Sequence, residues 1–148
     1  GSGAGAGRES VYICNMSDFL DFSTLKRPKT PNTWLVAPPG FVDHASPDGE
    51  APLFSCTAEE LFARAEGVVA GHKRWELQAA DPASRRMHFI AISKILRFKD
   101  DVDIAVLAGP EGSGKATLAI YSRSRVGRSD FGVNEKRIRE ILDTLALP

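Results

Sequence analysis

Apolar residues recur along this chain with two periods, and the points where one period yields to the other divide it into elements. Between Thr57 and Ala70, Leu61, Phe62, Ala65, Val68 and Val69 fall on one stripe of a helix. Thr57 and Glu60 open it as a capping box, and Gly71 ends it. Trp75 to Ala80 and Arg86 to Ser93 are strand-like runs joined by Asp81, Pro82, Ala83 and Ser84, a composition suited to a hairpin connection. Lys94 to Lys99 reads as a connector, Asp101 to Ala108 as a third strand, Gly109 to Gly114 as a loop and Lys115 to Arg125 as a fourth strand. Ile138, Ile141, Leu142 and Leu145 then return to helical spacing. They predict a C-terminal amphipathic helix with Asn134 as its N-cap and Val133 packed on Ile138 as a hydrophobic staple.

These elements predict an α+β fold, a two-layer sandwich. Its sheet is mainly antiparallel with about four strands, and the two amphipathic helices lie on one face, in the order helix, four strands, helix. The pattern also sets a register. If Val106 faces Leu118 and Ile104 faces Ile120, all four share the core face, and Asp101 falls opposite Arg123 on the other face as its cross-strand partner. A slip of one residue would bury charge.

Upstream, the pattern weakens. Residues 1–7 (GSGAGAG) read as a tag or linker, residues 8–53 as an N-terminal arm packed on the body, and residues 54–148 as the core, one domain in all. Within the arm, Ser10 to Cys14 is a candidate strand, and Phe19, Phe22 and Leu25 suit one or two docked turns. Six prolines between Pro28 and Pro52 leave Thr33 to Ala37 as the only expected strand of that stretch.

Composition narrows the function classes. The chain has 148 residues, 43% of them apolar and 26% charged, and 19 basic residues balance 19 acidic ones. A net charge of zero argues against general polyanion binding, so any basic function must be local, and no basic recognition helix points to nucleic acid. No apolar run approaches the ~20 residues of a membrane span. Cys14 and Cys56 lie in no CxxC or Cys/His pattern; they read as free thiols, which suits a reducing, cytoplasmic compartment.

The chemistry concentrates between Arg97 and Arg139. GPEGSGKAT (residues 109–117) nearly matches a phosphate-binding loop, but Ala116 replaces the magnesium-binding hydroxyl and a strand-like run follows where a helix is needed. It reads as a hairpin loop. Asp43, His44 and Asp48 lie in a proline-rich loop that does not converge them, and no metal site or cofactor is expected. Asp100 and Asp101 are adjacent on a strand and so point to opposite faces, which disfavours a shared-proton dyad. Two readings of the arginines stand. In one, Arg97, Arg123, Arg125 and Arg128 form a salt-bridged corner with Asp100, Asp101, Asp103 and Asp130, in which Gly127 and Gly132 make the turns. In the other, Arg123, Arg125, Arg128, Ser129 and the backbone near Asn134 converge on a phosphate or carboxylate.

The run SRSRVGRSDFGVN, with FKDDV upstream, resembles the signature of an uncharacterised bacterial and plant family catalogued as domain of unknown function 1499. The resemblance extends from about Asp18 to the C-terminus. DFSTLKRPKTPNTWLVAPPGF resembles the branch in which Pro-Asn precedes a hydrophobic triplet and proline; Thr33 stands where another branch has cysteine. The resemblance implies a fold but no activity. The function expected is a non-catalytic binding or interaction module with a site for an anionic ligand (phosphate, carboxylate or lipid head group) at the arginine-rich corner, or with a protein partner. The alternatives are an enzyme acting on an anionic substrate, with Asp101 or Asp130 as acid/base, and a structural accessory domain of a membrane-associated assembly.

Overall fold

In the computed structural model, which describes residues 19–127 and 130–148, the register set by the apolar alternation forms the centre of a sheet. β1 spans Thr33–Ala37 and β2 Gly49–Glu50; α1 spans Ala58–Ala70; β3 spans Trp75–Asp81, β4 Arg86–Ile92, β5 Lys99–Ala108 and β6 Ala116–Ser124; α2 spans Val133–Leu145. In β5 and β6, Val106 is opposite Leu118, Ile104 opposite Ile120 and Asp101 opposite Arg123, as the alternation requires. Lys115 leads into a strand, so the glycine-rich loop before it is the turn of the β5–β6 hairpin.

The sheet is larger than the pattern predicts. It has six strands in the order β2-β1-β6-β5-β4-β3, with β2 parallel to β1 and the other pairs antiparallel. Strands β1 and β2 precede α1, which corrects both the four-strand count and the helix-first order. β1 lies along the edge of β6, with Thr33 opposite Arg123 and Val36 opposite Ile120. Without it, β6 would present a long unpaired edge beside the core.

Both helices pack on one face. Leu61, Phe62, Ala65 and Val69 of α1 and Ile138, Ile141 and Leu145 of α2 meet Met87, Phe89, Val102, Ile104, Val106, Leu118 and Ile120 of the sheet. Burying each large side chain of this set contributes about 1.5–3 kcal/mol. The capping box at Thr57 and Glu60 forms as expected. The start of α2 does not. Its N-cap is Gly132 at φ 82°, while Asn134 is a fully buried residue inside the first turn and Val133 is largely exposed. The capping bonds come from Asp130, which accepts from Gly132 N (2.9 Å) and from Asn134 N (3.0 Å). The left-handed turn at Gly132 brings that carboxylate over the helix end.

The arm packs on the body, in part along the sheet edge as β1 and in part across the face away from the helices. Phe22, in a single 3-10 turn over Phe22–Thr24, and Leu25 pack with Leu35, Ala37, Ala105, Ala119 and Tyr121 on the face away from the helices. Arg27 anchors this segment to Asp48 (2.7 Å), whose carboxylate also accepts from Leu35 N. Among the described residues no helix is long and apolar enough to cross a membrane. The expected strand Ser10 to Cys14 and the linker at residues 1–7 lie outside the described residues; Cys56 is a buried thiol.

Candidate functional site

The pleat of β5 and β6 sorts the polar residues of the corner into two groups. Asp100, Ser122 and Ser124 point toward α2, whereas Asp101, Asp103, Arg123 and Arg125 point to the opposite face.

The helix-side group is buried. Arg137 of α2 reaches back to Asp100 (3.0 Å) and donates to Ser122 Oγ (3.0 Å) and Asn134 Oδ1 (2.8 Å). Ser122 also donates to Asn134 Oδ1 at 2.6 Å. Asn134 Nδ2 lies within hydrogen-bonding distance of Asp130 Oδ2, Ser124 Oγ and the Asn32 carbonyl. Asn32 in turn donates to the carbonyl of Gly127, which sits at φ 85°. One amide side chain thus joins the arm, β6, the corner and α2.

The outer group is a ladder of ion pairs. Arg125 pairs with Asp101 through two hydrogen bonds (2.8 and 3.0 Å), and Arg123 pairs with Asp103 at 2.9 Å while lying over the Tyr121 ring. Asp101 and Arg123 are opposite in register and share a face, but the ion pairs run diagonally, because the long arginine side chains reach the carboxylate two residues along. His88 of β4 stands between the carboxylates, with Nε2 3.2 Å from Asp101 and Nδ1 3.2 Å from Asp103, an arrangement in which a neutral ring can donate to only one. Asp103 also accepts from Leu20 N of the arm. Burial opposes ionisation of Asp101, but the Arg125 hydrogen bond and charge, with Arg123 and His88, outweigh it and hold the carboxyl below its ordinary value.

Among the described residues, those expected to bind one anion do not come together. Arg123 and Arg125 face outward and Asn134 lies under α2, with the sheet between them; the Asn134 N–H is already taken by Asp130. Arg128 and Ser129 lie outside the described residues. Arg97 is an exposed residue at φ 61° in the β4–β5 turn, and Asp100 pairs with Arg137 instead. Arg137 was the residue the sequence reading passed over. Its signal was a cation at helical spacing between Asn134 and Ile141, on the stripe of α2 that faces the sheet.

Arg123 also borders a cleft of about 430 Å³ between the arm and the β1–β6 pair. Leu25 and Tyr121 supply apolar wall, Lys26 and Arg123 positive charge, and Thr30, Asn32, Thr33 and Ser124 polar groups. Lys26 was not singled out from the sequence, where nothing relates it to a strand more than ninety residues away.

A family model described as "Protein of unknown function (DUF1499)" matches residues 26–145. No curated protein matches the chain. Among solved structures, the chain is similar to one titled "Crystal structure of Ara h 8.0201", with 8% identity over 66% of this chain and 92% of that one and a TM-score of 0.47. It is also similar to a solution NMR structure from Thermobifida fusca, with 10% identity over 77% of this chain and 85% of that one and a TM-score of 0.42. At these scores neither likeness bears on fold or function.

Proposed function

Since the chain belongs to the DUF1499 family of proteins of unknown function, we propose that this member is a non-catalytic binding module whose ligand is a small anionic group held in the cleft between the arm and the β1–β6 pair. The observation that carries this reading is the make-up of the cleft wall. It joins Lys26 and Arg123 with hydroxyl and amide groups and, among the described residues, contains no carboxylate. Lys26 has no ion pair among them, so its charge is uncompensated; Arg123 is held in place by Asp103 and Tyr121. A positioned guanidinium beside a mobile ammonium suits phosphate or carboxylate oxygens.

The same wall disfavours the enzymatic reading with Asp101 or Asp130 as acid/base, because such a group must lie within hydrogen-bond reach of the substrate. Asp101 and Asp103 lie outside the lining and are tied to arginine and histidine, and Asp130 is used at the start of α2.

A thermal-shift series against phosphate, pyrophosphate and dicarboxylates tests the proposal. A ligand at 100 times its dissociation constant stabilises by about 2.7 kcal/mol, which raises the melting temperature by roughly 5–10 °C in a chain of this size. Lys26→Ala changes an exposed residue, so the free protein should melt as the wild type does while the ligand-induced rise shrinks. No rise in the wild type with any of these anions, or an equal rise in Lys26→Ala, would remove the cleft as their site.

A further inference from the structure

The turn between β4 and β5 reads Lys94-Ile95-Leu96-Arg97-Phe98-Lys99, and its apolar side chains are turned outward: Ile95 is 83% exposed, Leu96 67% and Phe98 51%. This is a formed turn. Ser93 N donates to the Phe98 carbonyl (2.9 Å), Phe98 N donates to Ser93 Oγ (2.8 Å), and Arg97 takes a left-handed φ of 61° to close it. Such a turn would ordinarily carry polar or glycine residues; two aliphatic side chains at its apex serve no packing purpose in the chain itself.

The rest of this end of the sheet continues the pattern. Arg125 N meets the Lys99 carbonyl and Ile92 N the Arg74 carbonyl, so the exit of β6 and the entry to β3 lie beside the turn. The β6–α2 corner adds exposed Val126 and Phe131. Lys73, Arg74, Lys94, Arg97 and Lys99 surround these tips and form no ion pairs among the described residues. Of the carboxylates at this end, Asp100 pairs with Arg137, Asp101 with Arg125 and Glu135 with Arg139, and Asp130 caps the start of α2; Glu140, beside Arg74, is the one without an ion pair among the described residues, so cations remain in excess.

We propose that this end of the sheet docks on the surface of an anionic lipid bilayer, with Ile95, Leu96 and Phe98 entering the acyl boundary and the surrounding lysines and arginines meeting the head groups. Charge complementarity selects this occupant. Protein interfaces deplete lysine around their apolar centre, whereas interfacial membrane binding pairs protruding apolar side chains with a rim of lysine and arginine. The two hydrogen bonds close the base of the turn and leave the apex backbone of Ile95 and Leu96 to the hydrated head-group layer, so that only their side chains reach the acyl boundary. None of the apolar tips Ile95, Leu96 and Phe98 lines the Lys26–Arg123 cleft, and the proposal does not depend on that cleft.

Co-sedimentation of the full chain with vesicles of phosphatidylcholine alone and of phosphatidylcholine with phosphatidylserine tests this. Binding is expected to the mixed vesicles, and to fall as salt rises. Ile95→Ser/Leu96→Ser/Phe98→Ser changes only exposed side chains and should cut the partition by at least about tenfold. Lys94→Glu/Lys99→Glu should abolish the preference for phosphatidylserine. Leu96→Trp keeps an apolar apex whatever the serine variant does to folding, and its emission should shift to the blue on mixed vesicles. A chain that stays in the supernatant with both vesicle types, or a serine variant that is folded and binds equally well, overturns the proposal and leaves the turn to a protein partner.

Discussion

Asp100 and Asp101 are neighbours in sequence, and each pairs with an arginine, yet their surroundings differ as far as a small domain allows. Asp100 and Arg137 are buried between sheet and helix, and Arg137 also donates to Ser122 and Asn134, the latter held in turn by Asp130. Asp101 and Arg125 lie on the far face, where Arg125 is nearly half exposed. The first pair is held by water exclusion; the second is open to screening and to competing partners. Identical chemistry on adjacent residues therefore divides into a structural half and an adaptable half, and the strand pleat alone makes the division.

The largest effect that can break this comparison is loss of one inner partner. Arg137→Ala should lower stability by about 3–5 kcal/mol, because it leaves Asp100 charged and buried and takes a donor from Ser122 and Asn134. Equilibrium urea unfolding measures it. A companion variant sharpens the point: Asp100→Leu with Arg137→Met removes both charges together and should recover most of that loss. If the single variant unfolds at the wild-type urea concentration, the inner network is not structural and the division fails.

How much of this was readable beforehand follows from the kind of signal each part leaves. Period-two alternation in DDVDIAV and TLAIYSRS was enough to fix the register and to send Asp100 and Asp101 to opposite faces, because a slip would bury charge. The place of β1 was not readable. Thr33–Ala37 is short and flanked by prolines, and its partner Ile120 to Arg123 is some ninety residues away, so no local pattern records the pairing. The start of α2 differs from the expectation because Ser-Asp-Phe-Gly-Val-Asn offers three good capping side chains, and the positive φ at Gly132 decides for Asp130. The convergence drawn from the sequence does not hold among its described members for a related reason. Residues close along the chain were assumed to converge, although the sheet stands between Asn134 and the two outer arginines. Arg137 and Lys26 lay outside any motif, and each became meaningful only through what tertiary packing set against it.

The next effect is smaller and lies on the outer face. Arg125→Ala removes a two-bond ion pair whose arginine is nearly half exposed, and should cost less than about 1 kcal/mol, falling further at high salt. The same urea experiment at low and high ionic strength reads it. A loss as large as that of Arg137→Ala would show that the outer ladder is as structural as the inner network, and the contrast between the faces would disappear.

The smallest effect concerns protons. Asp101 has its carboxyl held below the ordinary value: burial acts the other way, and the hydrogen bond and charge of Arg125, helped by Arg123 and His88, prevail. In the unfolded chain that carboxyl titrates near about pH 3.9. A folded-state value below this means that the unfolded state binds the proton first as acid is added. The contribution of Asp101 is therefore fully present above the unfolded value and drains away as pH falls through the folded one. Melting temperature followed from neutral pH to well below about pH 4 should thus run parallel in Asp101→Asn and the wild type above that value, and fall less steeply in Asp101→Asn below it. Arg125→Ala should show an intermediate slope, because Arg123 and His88 still face the carboxylate. Equal slopes in wild type and Asp101→Asn would mean that the outer pair contributes nothing even where its proton is at stake, and would leave Arg125 free for a ligand instead of for Asp101.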